Sequence, residues 1–142
     1  MKAPVVSADL AEPDAPRRMV ESVLGLDPRL DVLVNNVGGG SAAGEILADP
    51  FGGAADVWAT AFALNLGAAV ETTRAALPAL TRSRGAVVSI SSQNARDPRG
   101  VPLSYSAAKA ALNAFSRGLA EQVAESGFGS TSSPRPARGP HC

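Results

Sequence analysis

The sequence predicts an α/β domain with a parallel β-sheet, and three observations lead to that class. Short apolar runs of strand length alternate with longer segments in which apolar residues recur at helical spacing, in the order strand then helix, three times over. The runs are rich in valine and leucine, which is typical of strands covered on both faces. Each run ends in polar residues or glycine, as expected where the carboxyl ends of parallel strands form a site.

The first part of the chain predicts two strands with a helix between them. Residues 4–8 form a short predicted strand that ends at Asp9. Residues 13–24 predict a helix, with prolines in its first turn and Gly25 as its stop signal. Residues 30–36 are an apolar run that predicts the second strand, and a glycine-rich loop follows it.

The second part of the chain predicts a long helix, a strand and a second long helix. Residues 54–83 keep helical spacing, and we expect Pro78 to bend this helix or to end it early. Residues 86–91 predict the third strand, and residues 103 to about 125 predict an amphipathic helix. The expected apolar face of that last helix consists of Ala108, Ala111, Leu112, Phe115, Leu119 and Val123.

Composition excludes several classes of function. The 142 residues include 13 basic and 13 acidic side chains, and no basic run alternates with aromatic residues, so neither nucleic acid nor a membrane surface is an expected partner. The sequence shows no signal peptide and no apolar run of membrane-spanning length, so we expect a cytoplasmic protein. The single histidine and single cysteine, His141 and Cys142, cannot form a metal site or an intrachain disulfide by themselves.

Tyr105 and Lys109 are the first candidate catalytic residues. They are four positions apart in a predicted helix, so both side chains lie on one helix face and can act on the same small volume. A nearby ammonium group favours the phenolate and lowers the pKa of a tyrosine toward the range useful for proton transfer. The alternative is an alanine-rich helix with a polar edge, and the pair alone does not decide between the two.

Two further polar residues have a structural and a catalytic interpretation. Ser92 follows the third strand, 13 residues before Tyr105, where a hydroxyl group could bind a substrate carbonyl oxygen, although serine is also common in turns. Asn65 is a poor helix former inside the long predicted helix. It is either a surface residue or an amide that serves a local kink or a bound water.

The glycine-rich loop after the second strand is similar to a phosphate-binding loop between Gly40 and Ile46. Phosphate binding requires a helix N-terminus directly after the loop. Asp49 and Pro50, with two glycines after them, interrupt any helix there within two turns, so we reject the phosphate-loop interpretation.

Taken together, these motifs resemble the short-chain dehydrogenase/reductase family. Asp-Val-Leu-Val-Asn-Asn-Val-Gly-Gly looks like the family's Asn-Asn-Ala-Gly strand end, and Tyr-Ser-Ala-Ala-Lys looks like its Tyr-x-x-x-Lys. Asn65 and Ser92 stand where the family has its helix asparagine and its strand-end serine, at the family's spacing. The resemblance covers residues 1 to about 128.

The resemblance implies a Rossmann-type, NAD(P)-dependent oxidoreductase that transfers hydride between the nicotinamide cofactor and a small alcohol or carbonyl substrate. Tyr105 would be the general acid or base and would also contact the cofactor. Lys109 would lower the pKa of Tyr105 and hold the nicotinamide ribose. Ser92 would bind the substrate oxygen, and Asn65 would anchor a water in the proton relay. The implied contacts to the adenosine part of NAD or NADP come from Asp9, Leu10, Asn36, Val37 and Gly38.

Absent motifs limit what the resemblance implies. The family's first strand, its Thr-Gly-x-x-x-Gly-x-Gly loop and its second strand would precede Pro4. We therefore expect a partial three-layer Rossmann-type fold without the first two strands and the C-terminal strands, and with a gap of roughly 14 Å between the strand at residues 4–8 and that at residues 30–36. NAD and NADP cannot be distinguished without those motifs.

The C-terminal end also departs from the family. We expect the domain in residues 1–128, followed by a disordered tail in residues 129–142, which are rich in proline, glycine and serine. Our hypothesis is a frameshift near Gly129, because one codon choice for Gly-Ser-Thr-Ser-Ser-Pro reads as Val-Asn-Ile-Ile-Ser in a shifted phase, close to the strand of the family. The alternative function is therefore a catalytically inactive fragment that still forms homo-oligomers through its two long helices.

Overall fold

The structure is a computed structural model, and it describes residues 3–39, 55–124 and 129–130. The elements in chain order are helix α1 (Ala15–Leu26), strand β1 (Val32–Asn35), helix α2 (Ala55–Phe62), a π-helical turn (Ala63–Gly67), helix α3 (Ala68–Ser83), strand β2 (Ala86–Ser89), a 3₁₀ turn (Gln93–Ala95), helix α4 (Leu103–Ala124) and strand β3 (Gly129–Ser130).

The three strands form one parallel sheet in the order β1-β2-β3. In the register between β1 and β2, Val32 lies opposite Ala86 and Asn35 lies opposite Ser89. The predicted α/β class with a parallel sheet is thus confirmed. Gly129 and Ser130 pair with β2, and the domain boundary expected after residue 128 stays a prediction. Residues 131–142 of the predicted tail lie outside the described residues.

Helices α1, α3 and α4 pack on the same face of this sheet. The core contains one or two buried side chains from each of these helices and from β2, namely Val20, Ala76, Leu80, Val87 and Val123, with Leu33 of β1 packed against them. Successive side chains of a strand point to opposite faces. Val32 and Val34 therefore lie on the other face of β1, where they are 52% and 54% exposed. The apolar run of β1 predicted cover on both faces, but in the described part of the chain only one face is covered.

The predicted first strand is wrong. Residues 4–8 pair with no other described strand, and Val5 is 92% exposed. A strand is stable only when a neighbouring strand satisfies its backbone groups, and the gap expected beside residues 4–8 agrees with the lack of such a neighbour among the described residues. The turn that follows is built by Asp9, whose carboxylate accepts a hydrogen bond from the backbone N–H of Ala11 at 3.0 Å.

The helices agree with the predicted segments but not at every boundary. Gly25 does not end α1, which continues to Leu26. Pro78 does not end α3, which continues to Ser83 and ends where Arg84 adopts a left-handed conformation with φ of 55°. A proline in a helix interior removes one backbone hydrogen bond, and packing of the surrounding helix outweighs that loss here. The predicted strand at residues 86–91 ends two residues early, at Ser89.

Candidate active site

Asn65 lies at the centre of the candidate site, in the π-helical turn between α2 and α3. This turn has the i to i+5 pattern, because the N–H of Ala68 donates to the carbonyl oxygen of Ala63. The Asn65 side chain is fully buried. Its Oδ1 accepts from the N–H of Gly39 at 3.0 Å, and its Nδ2 donates to the carbonyl oxygens of Gly39 and Ala61, both at 2.9 Å. Asn65 therefore joins the long helix to the segment after β1.

Gly38 brings the backbone after β1 against two polar side chains. A Cβ atom at this position would lie 2.6 Å from Asn65 Oδ1 and 2.9 Å from Lys109 Nζ. Real Cβ contacts are essentially never so short. The structure thus brings three sequence-predicted residues, Gly38, Asn65 and Lys109, into direct contact, and glycine is required for that approach.

Lys109 is a buried cation on α4. Its side chain is 4% exposed, and its Nζ donates to the carbonyl oxygen of Ile90, just after β2, at 3.1 Å. Burial lowers the pKa of Lys109 below the usual value of a lysine, because the charged form loses hydration. The amino group therefore lies between the ends of β1 and β2, at the carboxyl edge of the sheet. We name Gly38, Gly39, Asn65, Ile90 and Lys109 the polar cluster.

Ser92 is held by a residue that sequence reasoning missed. Ser92 caps the 3₁₀ turn, and its hydroxyl donates to Asn94 Oδ1 at 3.1 Å and accepts from the N–H of Asn94 at 3.2 Å. The Asn94 amide also donates to the carbonyl oxygens of Asp97 and Arg99, each at 3.2 Å. The sequence feature that could have identified Asn94 is the Ser-x-Asn spacing, because serine and asparagine at turns often form hydrogen bonds with the neighbouring backbone.

Tyr105 lies in the first turn of α4, four residues before Lys109, and its side chain is partly buried. Helix α4 packs against the 3₁₀ turn that Ser92 caps, so both residues belong to one end of the molecule. Within the described residues no hydrogen bond joins Tyr105 to Ser92, Asn65 or Lys109. The structure thus brings the helix and the turn together, and leaves the phenol without a direct bond to the other three candidates.

The predicted cofactor residues are divided between two neighbouring pockets. Leu10, Asn36 and Val37 line a pocket of about 180 Å³ at the end of β1, together with residues from α1 and α3, among them Met19 and Thr72. Asp9 lies instead in an adjacent pocket of about 370 Å³, which Met19 also lines. Gly38 belongs to the polar cluster.

The pocket at the end of β1 fits one part of a dinucleotide. Its lining is mostly apolar, with Asn35, Asn36 and the buried Thr72 as polar members. The Thr72 hydroxyl oxygen has no hydrogen-bond partner in the described part of the chain. Sites that enclose a whole ligand have about 300–1,000 Å³. A flat base and its sugar suit this pocket, but a complete dinucleotide exceeds it.

Asn35, the first asparagine after the apolar run, has a structural role that the sequence did not reveal. It is buried, and its Nδ2 donates to Thr73 Oγ1 of α3 at 2.9 Å. This bond fixes the end of β1 against the long helix, and through it the position of Asn36 and Gly38.

Within residues 3–39, 55–124 and 129–130, no group of three or more histidine, cysteine, aspartate or glutamate side chains is arranged to hold a metal ion. None of the helices described here has the length and apolar character needed to span a membrane.

The chain belongs to the short chain dehydrogenase family, since the family model matches residues 1–129. The human hydroxysteroid 11-beta-dehydrogenase 1-like protein is 37% identical over 118 residues, which are 83% of this chain and 36% of that protein. The Arabidopsis thaliana 11-beta-hydroxysteroid dehydrogenase 1A is 39% identical over 112 residues, which are 78% of this chain and 30% of that protein.

Solved structures show the same relationship. L-sorbose reductase from Gluconobacter frateurii, complexed with NADPH and L-sorbose, superposes with a TM-score of 0.77 at 32% identity and covers 86% of this chain and 45% of its own. The 3-oxoacyl (acyl-carrier-protein) reductase from Agrobacterium tumefaciens, with NADP bound, has a TM-score of 0.74 at 30% identity with the same two coverages. The expected Rossmann-type fold is confirmed, and the chain spans less than half the length of these relatives.

Proposed function

We propose that this chain carries the catalytic residues of an NAD(P)-dependent oxidoreductase that acts on a small alcohol or carbonyl substrate, with Tyr105 as the general acid or base. The observation that supports this most directly is the buried amino group of Lys109, one helical turn from Tyr105 and in contact with the polar cluster. A fixed cation next to a phenol favours the phenolate, which is the form that accepts a proton from an alcohol.

Each remaining residue of the proposed site has one role. The Ser92 hydroxyl donates a hydrogen bond to the substrate oxygen, which requires that it leave Asn94 Oδ1. Asn65 holds the π-helical turn against Gly39, so that a water bound beside it can pass protons to Lys109. When bound, the nicotinamide supplies or accepts the hydride. In the reduction direction, Tyr105 gives its phenolic proton to the substrate oxygen.

Most of the proposed contacts to the cofactor come from residues that line the two pockets described above. Asp9 and Leu10 contact the adenine base, and Asn36, Val37 and Gly38 lie along the ribose of the adenosine. The Gluconobacter and Agrobacterium reductases were solved with NADPH or NADP, which supports a nicotinamide dinucleotide as the ligand. Either NAD or NADP is compatible with the residues present in this chain.

Cofactor titration and turnover test this function. NADH and NADPH fluorescence should change on addition of the chain, and Tyr105→Phe should still bind the cofactor while losing about a hundredfold or more in kcat. Ser92→Ala should lower kcat, whereas Gln93→Ala, an exposed neighbour in the same turn, should not. Absence of binding of either dinucleotide at millimolar concentration would falsify the function for this chain.

A second candidate is an inactive fragment that associates through its long helices. The favouring observation is on α2, where the rings of Trp58 and Phe62 stack with centroids 6.3 Å apart and both remain partly exposed. Together with the outer faces of α3 and α4, they could form a contact between two copies. Sedimentation separates the candidates, because a folded dimer that binds no dinucleotide supports only this second one.

A further inference from the structure

The hydroxyl group of Ser92 is already committed to Asn94. A serine hydroxyl has one proton to donate and two lone pairs that can accept. The proton of Ser92 is donated to Asn94 Oδ1 at 3.1 Å, and one lone pair accepts from the backbone N–H of Asn94 at 3.2 Å. Among the described residues no other group bonds to this hydroxyl. The resting Ser92 therefore has one lone pair left for a ligand, and no proton.

The direction of this bond follows from the other contacts of the Asn94 amide. Asn94 Nδ2 lies 3.2 Å from the carbonyl oxygen of Asp97 and 3.2 Å from that of Arg99. A carbonyl oxygen only accepts, so the NH2 group must face these two oxygens and Oδ1 must face Ser92. The exchanged orientation would set Oδ1 against two other oxygen atoms. Because Oδ1 cannot donate, the proton between the two side chains belongs to Ser92.

The two carbonyl groups that orient Asn94 belong to a segment that is itself fixed. The backbone N–H groups of Arg96 and Asp97 donate to the carbonyl oxygen of Gln93 at 2.9 and 3.1 Å. Arg99 Nε donates to Asp97 Oδ1 at 2.7 Å. Helix α4 packs against the 3₁₀ turn at the start of this segment. Asn94 therefore offers Ser92 an acceptor in a constant place.

A substrate alcohol and a substrate carbonyl group make opposite demands on Ser92. An alcohol can donate its O–H to the remaining lone pair of Ser92 and leave the bond to Asn94 intact. A carbonyl oxygen can only accept, so Ser92 must first turn its proton away from Asn94 Oδ1. That turn breaks one hydrogen bond in exchange for another, whereas the alcohol adds a bond without breaking one.

We propose that Asn94 is a positioning residue that holds the Ser92 proton away from the substrate, so that the site binds an alcohol more tightly than the corresponding carbonyl compound. This inference rests on the proposed oxidoreductase function and on Ser92 as the group that binds the substrate oxygen. Asn94 acts only through Ser92, and the step is a rotation of the Ser92 O–H bond without proton transfer. The equilibrium between free alcohol and free carbonyl compound is unchanged, so the effect lies in the two affinities.

Two substitutions separate this role from a merely structural one. Asn94→Ala removes the acceptor for Ser92 together with both bonds to the carbonyl groups of Asp97 and Arg99. Asn94→Asp also removes both of those bonds, because a carboxylate has no proton to donate, but it keeps an oxygen that accepts from Ser92. A residue that only held the turn would give the same result in both variants.

The probes are cyclohexanone and cyclohexanol, which share one ring and differ in the carbonyl or hydroxyl group. Each is titrated into a complex that cannot transfer hydride, the ketone with NADP and the alcohol with NADPH, and NMR of the residue 94 backbone amide reports binding. Asn94→Ala should raise the affinity for cyclohexanone relative to cyclohexanol by about threefold or more. Asn94→Asp should keep the ratio within about twofold of the natural chain or shift it toward cyclohexanol.

The orientation of the Asn94 amide is tested separately, on the full chain without a ligand. Its two side-chain N–H protons should exchange with solvent about tenfold or more slowly than those of Gln93, an exposed amide in the same turn. Equal exchange rates would overturn the proposal, because the two carbonyl groups would then not hold the amide. Equal changes in the affinity ratio for Asn94→Ala and Asn94→Asp would also overturn it.

Failure of the proposed function gives a different result. A chain that binds neither NADP nor NADPH would lose both the oxidoreductase function and the preference between alcohol and carbonyl compound. Slow exchange of the Asn94 amide in the same chain would still show that Ser92 and Asn94 are bonded as described. The exchange measurement needs no cofactor, so the two failures are distinguishable.

Discussion

The polar cluster and the outer edge of β1 belong to the same strand region, yet they differ in how completely their backbone groups are satisfied. In the polar cluster, Gly39 has both its N–H and its C=O bonded to one asparagine side chain, and Lys109 is bonded to Ile90. At the outer edge of β1, the backbone of Val32 and Val34 has no bonded strand among the described residues. The difference shows that Asn65 and Lys109 are held by contacts within this chain, whereas the outer edge of β1 has no such contacts in the described part of the chain.

This comparison predicts that the polar cluster contributes to stability by itself. The largest effect is expected for Asn65→Leu, which keeps the number and branching of side-chain heavy atoms but leaves the backbone groups of Gly39 and the carbonyl oxygen of Ala61 without their bonds. Buried polar groups without partners are costly, so the free energy of unfolding should fall by about 2–3 kcal/mol. Urea denaturation measures this change.

The control for Asn65 is Asn113, a half-buried asparagine on α4. Asn113→Leu should change the free energy of unfolding by less than about 0.5 kcal/mol. If the two substitutions lower the free energy of unfolding equally, the hydrogen bonds of Asn65 do not hold the segment after β1 in place. The polar cluster would then not be more tightly bonded than the outer edge of β1.

Gly38→Ala tests the close approach at the centre of the cluster, with a smaller expected effect. The new methyl group would lie 2.6 Å from Asn65 Oδ1 and 2.9 Å from Lys109 Nζ, so at least one side chain must move. We expect a loss of about 1–2 kcal/mol in the free energy of unfolding. Gly39→Ala is the matched control, because a Cβ atom there meets nothing within 4 Å. A smaller loss for Gly38→Ala than for Gly39→Ala would show that the backbone is not packed as tightly as described.

The helices could be predicted because the spacing of apolar residues that indicates a helix is a local pattern and extends over many residues. The spacing of apolar residues predicted residues 103 to about 125 as a helix, and α4 is Leu103–Ala124. The same spacing predicted one helix over residues 54–83, and it contains α2 and α3. The π-helical turn between them was not predicted, although Asn65 was recognised as unusual there. Its cause is the bonding of the asparagine to Gly39, which is distant in sequence and has no periodic signal.

The incorrect prediction of a strand at residues 4–8 and the failure to identify Asn35 and Asn94 have the same cause. Residues 4–8 have strand composition, but pairing depends on a neighbour that lies elsewhere in space. Asn35 was not expected to bond Thr73, and Asn94 was not expected to hold Ser92, since each role depends on which partner the fold supplies. The catalytic roles of Tyr105, Ser92 and Asn65 stay predictions. For Tyr105 and Lys109, the sequence predicted that both side chains share one helix face. This was possible because both residues lie on one helix, and the helix is specified by its own local sequence.

The buried charge of Lys109 predicts a pH dependence, and this is the smallest of the three effects. Burial lowers the pKa of Lys109 in the folded chain, while in the unfolded chain it is near 10.5. Between these two pKa values the unfolded chain binds more protons, so stability rises with pH through that window and the rise is complete above 10.5. Replacing Lys109 by methionine should abolish the rise.

The measurement is the urea midpoint at several alkaline pH values, made in parallel on the natural chain and on Lys109→Met. Arg117→Met, which removes an exposed cation from the same helix, should leave the rise unchanged. The opposite result would be a free energy of unfolding that falls with pH in the natural chain and does not change with pH in Lys109→Met. It would mean that favourable interactions of the Lys109 ammonium group with its surroundings outweigh the cost of its dehydration. In that case the polar cluster would be an electrostatically favourable site for the cation, and burial would not lower the pKa of Lys109.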